Sequence, residues 1–433
     1  MKLSFSRPSS LASIISPIFT KPKIYTRPIS SSSISTRPTS LKPKTPLFLR
    51  PPTFSTSISE LQKWHNWAQT LASSIGSTFL DFDNGPTSEI LKREILWLLE
   101  DVLENPKSNF IKNGVFISKS DVLENPKSSL SKNEVFISNG DVLEDVLENP
   151  ISNLVKDDVF STNEDVLENP KSRFSEKDDF DTNGDVLVKL RVELEELYEL
   201  WKQRVEERRP FQYIVGCEHW RDLVLSVEEG VLVPRPETEK IVDLVSDLVE
   251  ENEMLKEGLW ADLGTGSGAL AIGIGRVLGS NGRVIASDLS YIAVQVASFN
   301  VQRYNLQHKI VLRQGSWFEP LKEAEGELAG LVSNPPYIPS EQISGLQAEV
   351  GKHEPRLALD GGEDGMSDLL HLSMGAASML RPGGYFAFET NGEDQCKFLL
   401  NYMETKTKGV FYDLKIVSDF AGIQRFVTGF KVK

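Results

Sequence analysis

Cysteine is scarce in this chain of 433 residues. Its two cysteines, Cys217 and Cys396, are too few for a disulfide framework or a cysteine-based metal site. The five histidines are scattered, with no pair at helical i, i+4 spacing, so we do not expect a metal enzyme. No apolar run approaches the roughly 18 residues that suggest a membrane-spanning helix, so we expect no membrane partner.

Acidic residues are missing from residues 1–59, which hold nine lysines and arginines. The same stretch is rich in Ser, Thr and Pro, as in RPISSSSISTRPTS, which is typical of an organelle transit peptide. We therefore exclude it from the fold. Because serine and proline abound and amphipathic periodicity is weak, the predicted destination is the chloroplast, with the mitochondrion as the alternative. An ordinary disordered tail is the other interpretation.

The net charge of the whole chain is −15, so the part after residue 59 carries −24. A chain this acidic is a poor general binder of nucleic-acid backbones, which need basic surface. We expect no direct nucleic-acid partner, and a protein or a small molecule instead. The length predicts two to three domains, and a hydrophobic content of 39% suffices for a sizeable core.

Residues 60–209 are predicted to form a small N-terminal helical domain. Apolar residues recur at helical spacing, with Leu61 and Trp64 in the first such stretch and Ile95 and Leu98 in the second.

An internal repeat of about twenty residues interrupts this domain at 101–184. Near copies of DVLENPKSNFIKNGVFISKS begin at Asp101, Asp121, Asp145 and Asp165. The block has 18 acidic and nine basic residues, and its Asn-Pro steps prevent one continuous helix. We predict a disordered acidic insert, with a solenoid as the alternative. Removing it would join REILWLLE to DVLVKLRVELEELYELW in one helical pattern, so we expect the insert to be dispensable.

Strands and helices alternate through residues 210–433, which predicts an α/β fold with a doubly wound, mostly parallel sheet. The last two strand candidates are close enough to form a hairpin, which predicts an antiparallel edge strand. The seven candidates are Leu259–Leu263, Val284–Asp288, Ile310–Gln314, Gly330–Ser333, Tyr385–Glu389, Leu414–Val417 and Arg425–Thr428.

A glycine-rich turn follows the first of these strands, in WADLGTGSGALAIGIG. Gly264, Gly266 and Gly268 would let the backbone turn sharply and let a ligand approach closely. The dinucleotide fingerprint has its third glycine one residue later, so this turn differs from it. A ligand role is favoured over a turn that serves packing alone, because ligands bind at the carboxyl ends of strands in such sheets.

Two side chains at the ends of the following strands suit the same ligand. Asp288 can accept the hydroxyl protons of a ribose, although it could instead cap the helix that starts near Tyr291. Trp317, in RQGSWFEPL, can form a wall for an adenine ring, with a place in the core as the alternative.

The fourth strand ends in SNPPY, residues 333–337. Pro335 and Pro336 terminate the strand because proline cannot donate to a ladder. Termination does not explain why Asn334 precedes them and Tyr337 follows.

The order of DLGTGSG, ASD, GSWFEPL and SNPPY resembles a class I S-adenosylmethionine-dependent methyltransferase. RRPFQYIVG, VLVPRPETE and HEPRLALDGGEDG narrow the resemblance to the HemK/PrmC family of protein-(glutamine-N5) methyltransferases, which modify peptide chain release factors. The similarity runs from about Arg208 to the C-terminus. One departure is FETNGEDQ, where the family has a Glu-x-Gly pattern and Asn391 shifts the glycine by one.

The resemblance implies a Rossmann-like domain with a seven-stranded sheet. It places S-adenosylmethionine, the implied cofactor, on eight residues: Gly264, Thr265, Gly266, Ser267, Gly268, Asp288, Trp317 and Asn334. The substrate glutamine would contact the residues Asn334, Pro335, Pro336 and Tyr337. The Asn334 side chain and the Pro335 carbonyl would each accept an amide N–H of that glutamine, and Tyr337 would pack on the amide plane.

The implied activity is methylation of the glutamine in a Gly-Gly-Gln loop of an organellar class I release factor, by a chain we expect to be a monomer. The helical domain of residues 60–209 would dock this protein substrate. One alternative is a ribosomal-protein glutamine methyltransferase, although PETE after VLVPR favours the release-factor branch. A nucleic-acid amino-methyltransferase is disfavoured by the acidic charge. A non-catalytic module that recruits partners through the repeats is disfavoured by the intact glycine turn and NPPY.

Overall fold

The computed structural model describes residues 44–104, 111–112, 115–116 and 185–432. Most of the predicted transit peptide and of the predicted acidic insert lies outside the described residues, so both remain predictions. Inside the repeat block the structure describes residues 101–104 and a two-stranded pair, β2 (Ile111–Lys112) and β3 (Val115–Phe116). No helix in the described part of the chain is long and apolar enough to cross a membrane.

The N-terminal helical domain is built on amphipathic helices, as the apolar spacing predicts. Ser57 and Thr87 cap the first and third, their hydroxyls accepting hydrogen bonds from Glu60 N and Ile90 N. Trp64 and Trp201 are fully buried in its core. The helices are α1 (Ile58–Ile75), α2 (Thr78–Asp83), α3 (Ser88–Val102), α4 (Leu194–Val205) and α5 (Phe211–Val215).

This domain begins earlier than the sequence predicts. Leu47 is buried in the helical core, and β1 (Phe54–Ser57) pairs antiparallel with β4 (Leu187–Leu190). The exclusion of residues 1–59 from the fold is therefore wrong for 44–59, because the low-acid composition of this segment does not prevent apolar side chains from packing. The same core also includes Cys217, just beyond the predicted domain boundary at 209.

The predicted continuous helix across the insert is also wrong. Residues 187–190 form strand β4, and α4 starts only at Leu194. Leu103 forms an antiparallel bridge with Leu190, so the chain leaves and returns along neighbouring extended segments. The pairing partner β1 decides the conformation of the returning segment, because it supplies hydrogen-bond acceptors and donors that no helix could use.

The C-terminal α/β domain contains the predicted seven-stranded sheet. Its strand order is β12-β13-β11-β10-β7-β8-β9, with the hairpin of the last two strands at one end. β13 runs antiparallel to both neighbours, and the remaining pairs are parallel. The strands are β7 (Leu259–Leu263), β8 (Arg283–Asp288), β9 (Ile310–Gln314), β10 (Leu328–Ser333), β11 (Leu380–Glu389), β12 (Phe411–Ser418) and β13 (Gln424–Lys431).

Helices cover both faces of the sheet, and a small hairpin joins the two domains. The helices are α6 (Glu239–Glu251), α7 (Glu253–Lys256), α8 (Ala269–Val277), α9 (Tyr291–Arg303), α10 (Ser367–Met379) and α11 (Glu393–Lys406). The hairpin consists of β5 (Cys217–Trp220) and β6 (Leu223–Ser226). Because β7, β8, β10 and β11 are parallel, their carboxyl ends lie along one edge of the sheet.

Buried ion pairs hold the helical domain against the loop that follows β10. Arg204 donates to Glu94 at 2.7 Å and to Glu349 at 2.9 Å, and Arg208 donates to Glu349 and to Asp83. All five side chains are nearly inaccessible to solvent. Removing one member would leave charges buried without a partner, so this cluster makes the domain arrangement specific.

The bridge at Leu103 generates a prediction about the insert. Replacing residues 105–184 by a flexible linker of about six residues should leave the thermal unfolding midpoint nearly unchanged, since Leu103 and Leu190 remain paired and about 3.3 Å per residue spans the gap. Deleting 101–184 instead removes the buried Val102 and Leu103 and should lose about 2–5 kcal/mol of stability. Equal midpoints for the two deletions would contradict this interpretation.

Candidate active site

The glycine turn connects β7 to α8. Gly264, Gly266 and Gly268 have φ angles of 74°, 56° and 86°, in the left-handed region that favours glycine. The backbone N–H groups of Gly264 and Thr265 both donate to the Ser287 carbonyl at 2.9 Å, so the neighbouring strand β8 holds the start of the turn. A Cβ on Gly266 would meet no described atom within 4 Å, so open space lies beside this backbone.

Asp262, the penultimate residue of β7, holds the glycine turn by hydrogen bonds to one residue within it and one in α8. Its Oδ2 accepts from the Thr265 hydroxyl at 2.6 Å and from Ala271 N at 3.0 Å. Burial raises the pKa of this carboxyl to about 7. Asn300 of α9 donates to the Ser267 carbonyl at 2.9 Å and thereby supports the other side of the turn. The sequence analysis missed both residues as functional candidates.

Asp288 lies at the end of β8, beside the glycine turn. One carboxylate oxygen accepts from Gly266 N at 2.9 Å and the other from Ser290 N at 2.8 Å. The cap of α9 is Ser290, whose hydroxyl accepts from Ala293 N, so Asp288 is not itself the capping residue. Burial raises the pKa of Asp288. Its carboxylate therefore links the turn to the start of α9.

Trp317 reaches the same turn from the loop after β9. Its φ of 44° is unusual for a bulky side chain and indicates a position held by its surroundings. The half-buried indole lies over Gly264, where a Cβ would be 3.6 Å from the ring. One side of the ring also packs against the core beneath β10, so both functions that the sequence analysis weighed are compatible with its position.

The NPPY segment lies directly beyond β10. Asn334, Pro335 and Tyr337 line a small pocket, whereas Pro336 is outside its lining and its carbonyl lies against Gly361. The pocket also contains the side chains of Arg235 and Leu359. The pocket adjoins the glycine turn, because a Cβ on Gly264 would lie 3.9 Å from the Asn334 carbonyl oxygen.

A chain of hydrogen bonds connects Asn334 and Tyr337 to two residues that do not line the pocket, Thr238 and Glu389. Asn334 Nδ2 donates to the Thr238 hydroxyl at 3.0 Å, which donates to Glu389 Oε2 at 2.7 Å. The Tyr337 hydroxyl donates to Glu389 Oε1 at 3.1 Å. Glu389 is the last residue of β11 and is almost fully buried, which raises its pKa to about 7.

Arg235 forms another wall of the pocket. Its guanidinium donates to Glu354 Oε1 at 2.6 Å, and Glu354 Oε2 accepts from Val233 N. Thr238 and Arg235 belong to VLVPRPETE, and Glu354 belongs to HEPRLAL. The sequence analysis quoted these stretches without assigning roles to their residues. Glu389 was noted only for the altered spacing after it.

The glycine turn fits a polar ligand that approaches the backbone. Asp262 Oδ1 and Ser267 Oγ are buried and have no hydrogen-bond partner within the described ranges. Unsatisfied buried polar atoms call for an explanation, and a ligand with donor and acceptor groups supplies one. The open space beside Gly266 and the flanking carboxylate of Asp288 and indole of Trp317 fit the amino acid, ribose and adenine of S-adenosylmethionine.

The described residues offer no candidate metal site. No group of three or more His, Cys, Asp or Glu side chains in the described part of the chain has an arrangement that could hold a metal ion.

The sheet order, the glycine turn and the NPPY pocket together define a class I S-adenosylmethionine-dependent methyltransferase. Residues 238–352 match the methyltransferase small domain family. In this class the methyl donor is S-adenosylmethionine, bound at the carboxyl ends of the parallel strands.

Two relatives narrow the class. A protein of Synechocystis sp. named release factor glutamine methyltransferase is 40% identical over 245 residues, which cover 56% of this chain and 80% of that protein. A protein of the same name from Thermosynechococcus vestitus is 39% identical over 240 residues, covering 55% and 80%. A solved ribosomal protein L11 methylase from Lactobacillus delbrueckii is 20% identical, with a TM-score of 0.34 over 48% of this chain and 84% of that one. The chain belongs to the release factor glutamine methyltransferase family.

The position of Asp288 generates a prediction about cofactor affinity. Asp288→Ala should weaken S-adenosylmethionine binding by about 2 kcal/mol, or roughly thirtyfold, because a half-buried charged acceptor beside the turn is lost. Calorimetric titration measures the change. Ser290→Ala is the matched control: losing the cap of α9 should lower stability by about 1 kcal/mol without a comparable change in affinity. Unchanged affinity in a folded Asp288→Ala protein would limit Asp288 to a structural role.

Proposed function

We propose that this protein transfers a methyl group from S-adenosylmethionine to the side-chain nitrogen of the glutamine in a Gly-Gly-Gln loop of a class I peptide chain release factor. The two relatives carry the name of this activity, and the match covers four fifths of their length. The site residues proposed for it are those of the glycine turn and of NPPY.

The observation that carries the proposal is that the pocket lined by the NPPY segment adjoins the glycine turn. Asn334 and Pro335 line the pocket, and the Asn334 backbone carbonyl lies beside Gly264 of the glycine turn, where the cofactor is proposed to bind. The pocket is small and is bounded by Tyr337 and Leu359, which suits one planar amide side chain. An entering glutamine would therefore have its nitrogen at the boundary between the two sites.

An amide nitrogen is a weak nucleophile because its lone pair is delocalised into the carbonyl group. Orientation therefore matters more than a strong base. S-Adenosylmethionine supplies an electrophilic methyl group on a sulfonium. The Asn334 side-chain oxygen and the Pro335 carbonyl can each accept one N–H of the glutamine, which directs the nitrogen at the methyl group. The same oxygens stabilise positive charge that develops on nitrogen, which releases one proton after the transfer, while the sulfur departs as a neutral thioether.

Within this family, the acidic charge argues for a protein substrate over a nucleic acid. The chain carries −15 overall, and phosphate backbones require basic surface for binding. The helical domain is the proposed docking element for the release factor. The buried cluster of Arg204, Arg208 and Glu349 attaches this domain to the loop beside the pocket, since Val350 is itself a lining residue.

A test of Asn334 separates a substrate clamp from a strand terminator. Asn334→Ala should fold but lose about 3–5 kcal/mol of transition-state stabilisation, a hundredfold to several thousandfold in rate. The measurement is single-turnover methylation of a release factor bearing Gly-Gly-Gln, at saturating S-adenosylmethionine, with thermal melts to confirm folding.

Asn334→Asp provides the matched comparison because it keeps size and one acceptor while it removes the donor to Thr238. Mass mapping of the product identifies the modified glutamine and distinguishes a release factor from a ribosomal protein or a nucleic acid. An Asn334→Ala protein that turns over within about threefold of wild type would end the clamp hypothesis.

We also propose that residues 1–43 direct the protein to the chloroplast. Their support is composition: basic residues without acids, and abundant serine and proline. Leu47 lies in the folded core, so the targeting segment is proposed to end before it. A fluorescent reporter fused to residues 1–43 should enter chloroplasts. Entry into mitochondria would select the alternative, and a cytosolic reporter would contradict targeting.

A further inference from the structure

Glu389 is a buried carboxylate next to the proposed active site. It ends β11 and has only 1% of its surface exposed. A carboxylate in such a position needs hydrogen-bond donors, and two hydroxyl groups supply them, from Thr238 and Tyr337. These partners come from two separate segments that both reach the pocket.

The direction of these hydrogen bonds follows from the chemistry of the groups. When Glu389 is ionised its carboxylate only accepts, so in that form the single proton of the Thr238 hydroxyl is committed to Glu389 Oε2. The Thr238 oxygen can then only accept from Asn334. Of the two ends of the Asn334 amide, only the NH₂ end can donate, so this end faces Thr238 at 3.0 Å. The carbonyl end must face the opposite way.

We propose that Glu389 and Thr238 are positioning residues that fix the orientation of the Asn334 amide so that its oxygen faces the substrate. This inference rests on the proposed function, in which that oxygen accepts an N–H of the glutamine. We call the hydrogen bonds from Asn334 through Thr238 to Glu389 the relay. Without the relay, the amide of Asn334 could rotate by half a turn and present its NH₂ group. Two N–H groups would then face each other and substrate orientation would be lost.

The same carboxylate also holds Tyr337, another residue that lines the pocket. Its Oε1 accepts from the Tyr337 hydroxyl at 3.1 Å, which fixes the ring that is proposed to pack on the glutamine amide. One buried charge thus positions two of the groups that contact the substrate. Arg425, paired with Asp419, is a nearby cation that favours the charged form of Glu389.

A purely structural role for these groups predicts a different outcome. Thr238 ends the short 3₁₀ turn Pro236–Thr238, and its bond to Glu389 also ties that turn to β11. If this tie served folding alone, loss of the hydroxyl would lower stability and leave turnover per folded molecule unchanged. The relay predicts a loss of turnover that stability does not explain.

The first experiment compares two substitutions of Thr238 in the full chain. Thr238→Val keeps the shape and removes the hydroxyl, whereas Thr238→Ser keeps the hydroxyl and removes a methyl. We expect kcat for release-factor methylation to fall about thirtyfold or more in Thr238→Val and to stay within about threefold in Thr238→Ser. kcat is measured at saturating S-adenosylmethionine, because Asn334 is also placed beside the cofactor. Equal kcat values for the two variants would overturn the relay.

The second experiment is a double-mutant cycle with Glu389→Gln. Glutamine keeps one acceptor and adds a donor, so it can hold Thr238 in either direction and should cost about tenfold in kcat. Because burial raises the pKa of Glu389 to about 7, a neutral replacement should not impair folding. The double variant should lose less than the product of the two single losses, since both changes act on the Asn334 amide and only Glu389→Gln also acts on Tyr337. Losses that multiply would contradict a shared path.

A third measurement does not depend on catalysis. In protein labelled with ¹⁵N-asparagine, the side-chain amide protons of Asn334, assigned with Asn334→Ala, should exchange slowly in wild type. They should exchange at least about tenfold faster in Thr238→Val. Protected protons in a wild-type protein that does not methylate a release factor would reject the proposed function and retain the relay. Unprotected protons in an active wild-type protein would reject the relay alone.

Discussion

Parallel pairing of β7, β8, β10 and β11 is the constraint on which the site depends. Parallel neighbours need crossover connections, so every carboxyl end in this part of the sheet lies at the same edge. The residues that end these strands or directly follow them therefore meet, although they are far apart in sequence: Gly264, Asp288, Asn334 and Glu389. The parallel arrangement of these strands therefore places the proposed active site at this edge of the sheet.

The buried charges show how this edge is held. Asp262 and Glu389 lie inside the protein, and burial raises the pKa of each to about 7. Burying such a carboxyl group lowers the stability of the fold, but each of the two orients a loop at the site. Asp262 orients the glycine turn through Thr265, and Glu389 orients the NPPY segment through Tyr337. The cluster around Glu349 likewise holds the helical domain, because removing one member would leave buried charges without a partner.

The helical domain shows where local patterns mislead. Val186 and Leu190 are four residues apart, a helix-compatible spacing when they are read on from α3, yet Leu190 lies in strand β4 and Val186 directly precedes it. The strand forms because Phe54–Ser57 lies alongside it, and those residues belong to a segment whose composition resembles a targeting peptide. A pairing partner more than a hundred residues away cannot be seen in a window of local periodicity.

The sequence by itself determined the fold class, the strand and helix alternation of the catalytic domain, and the resemblance to glutamine methyltransferases. Period-2 and period-3.6 patterns, glycines at positive φ and the NPPY segment are local properties, so they are readable in one dimension. Only the tertiary structure decided that Thr238 and Glu389 support Asn334, and that Ser290 rather than Asp288 caps α9. These depend on the strand order and on which buried donor meets which acceptor, and both are set when distant segments pack together.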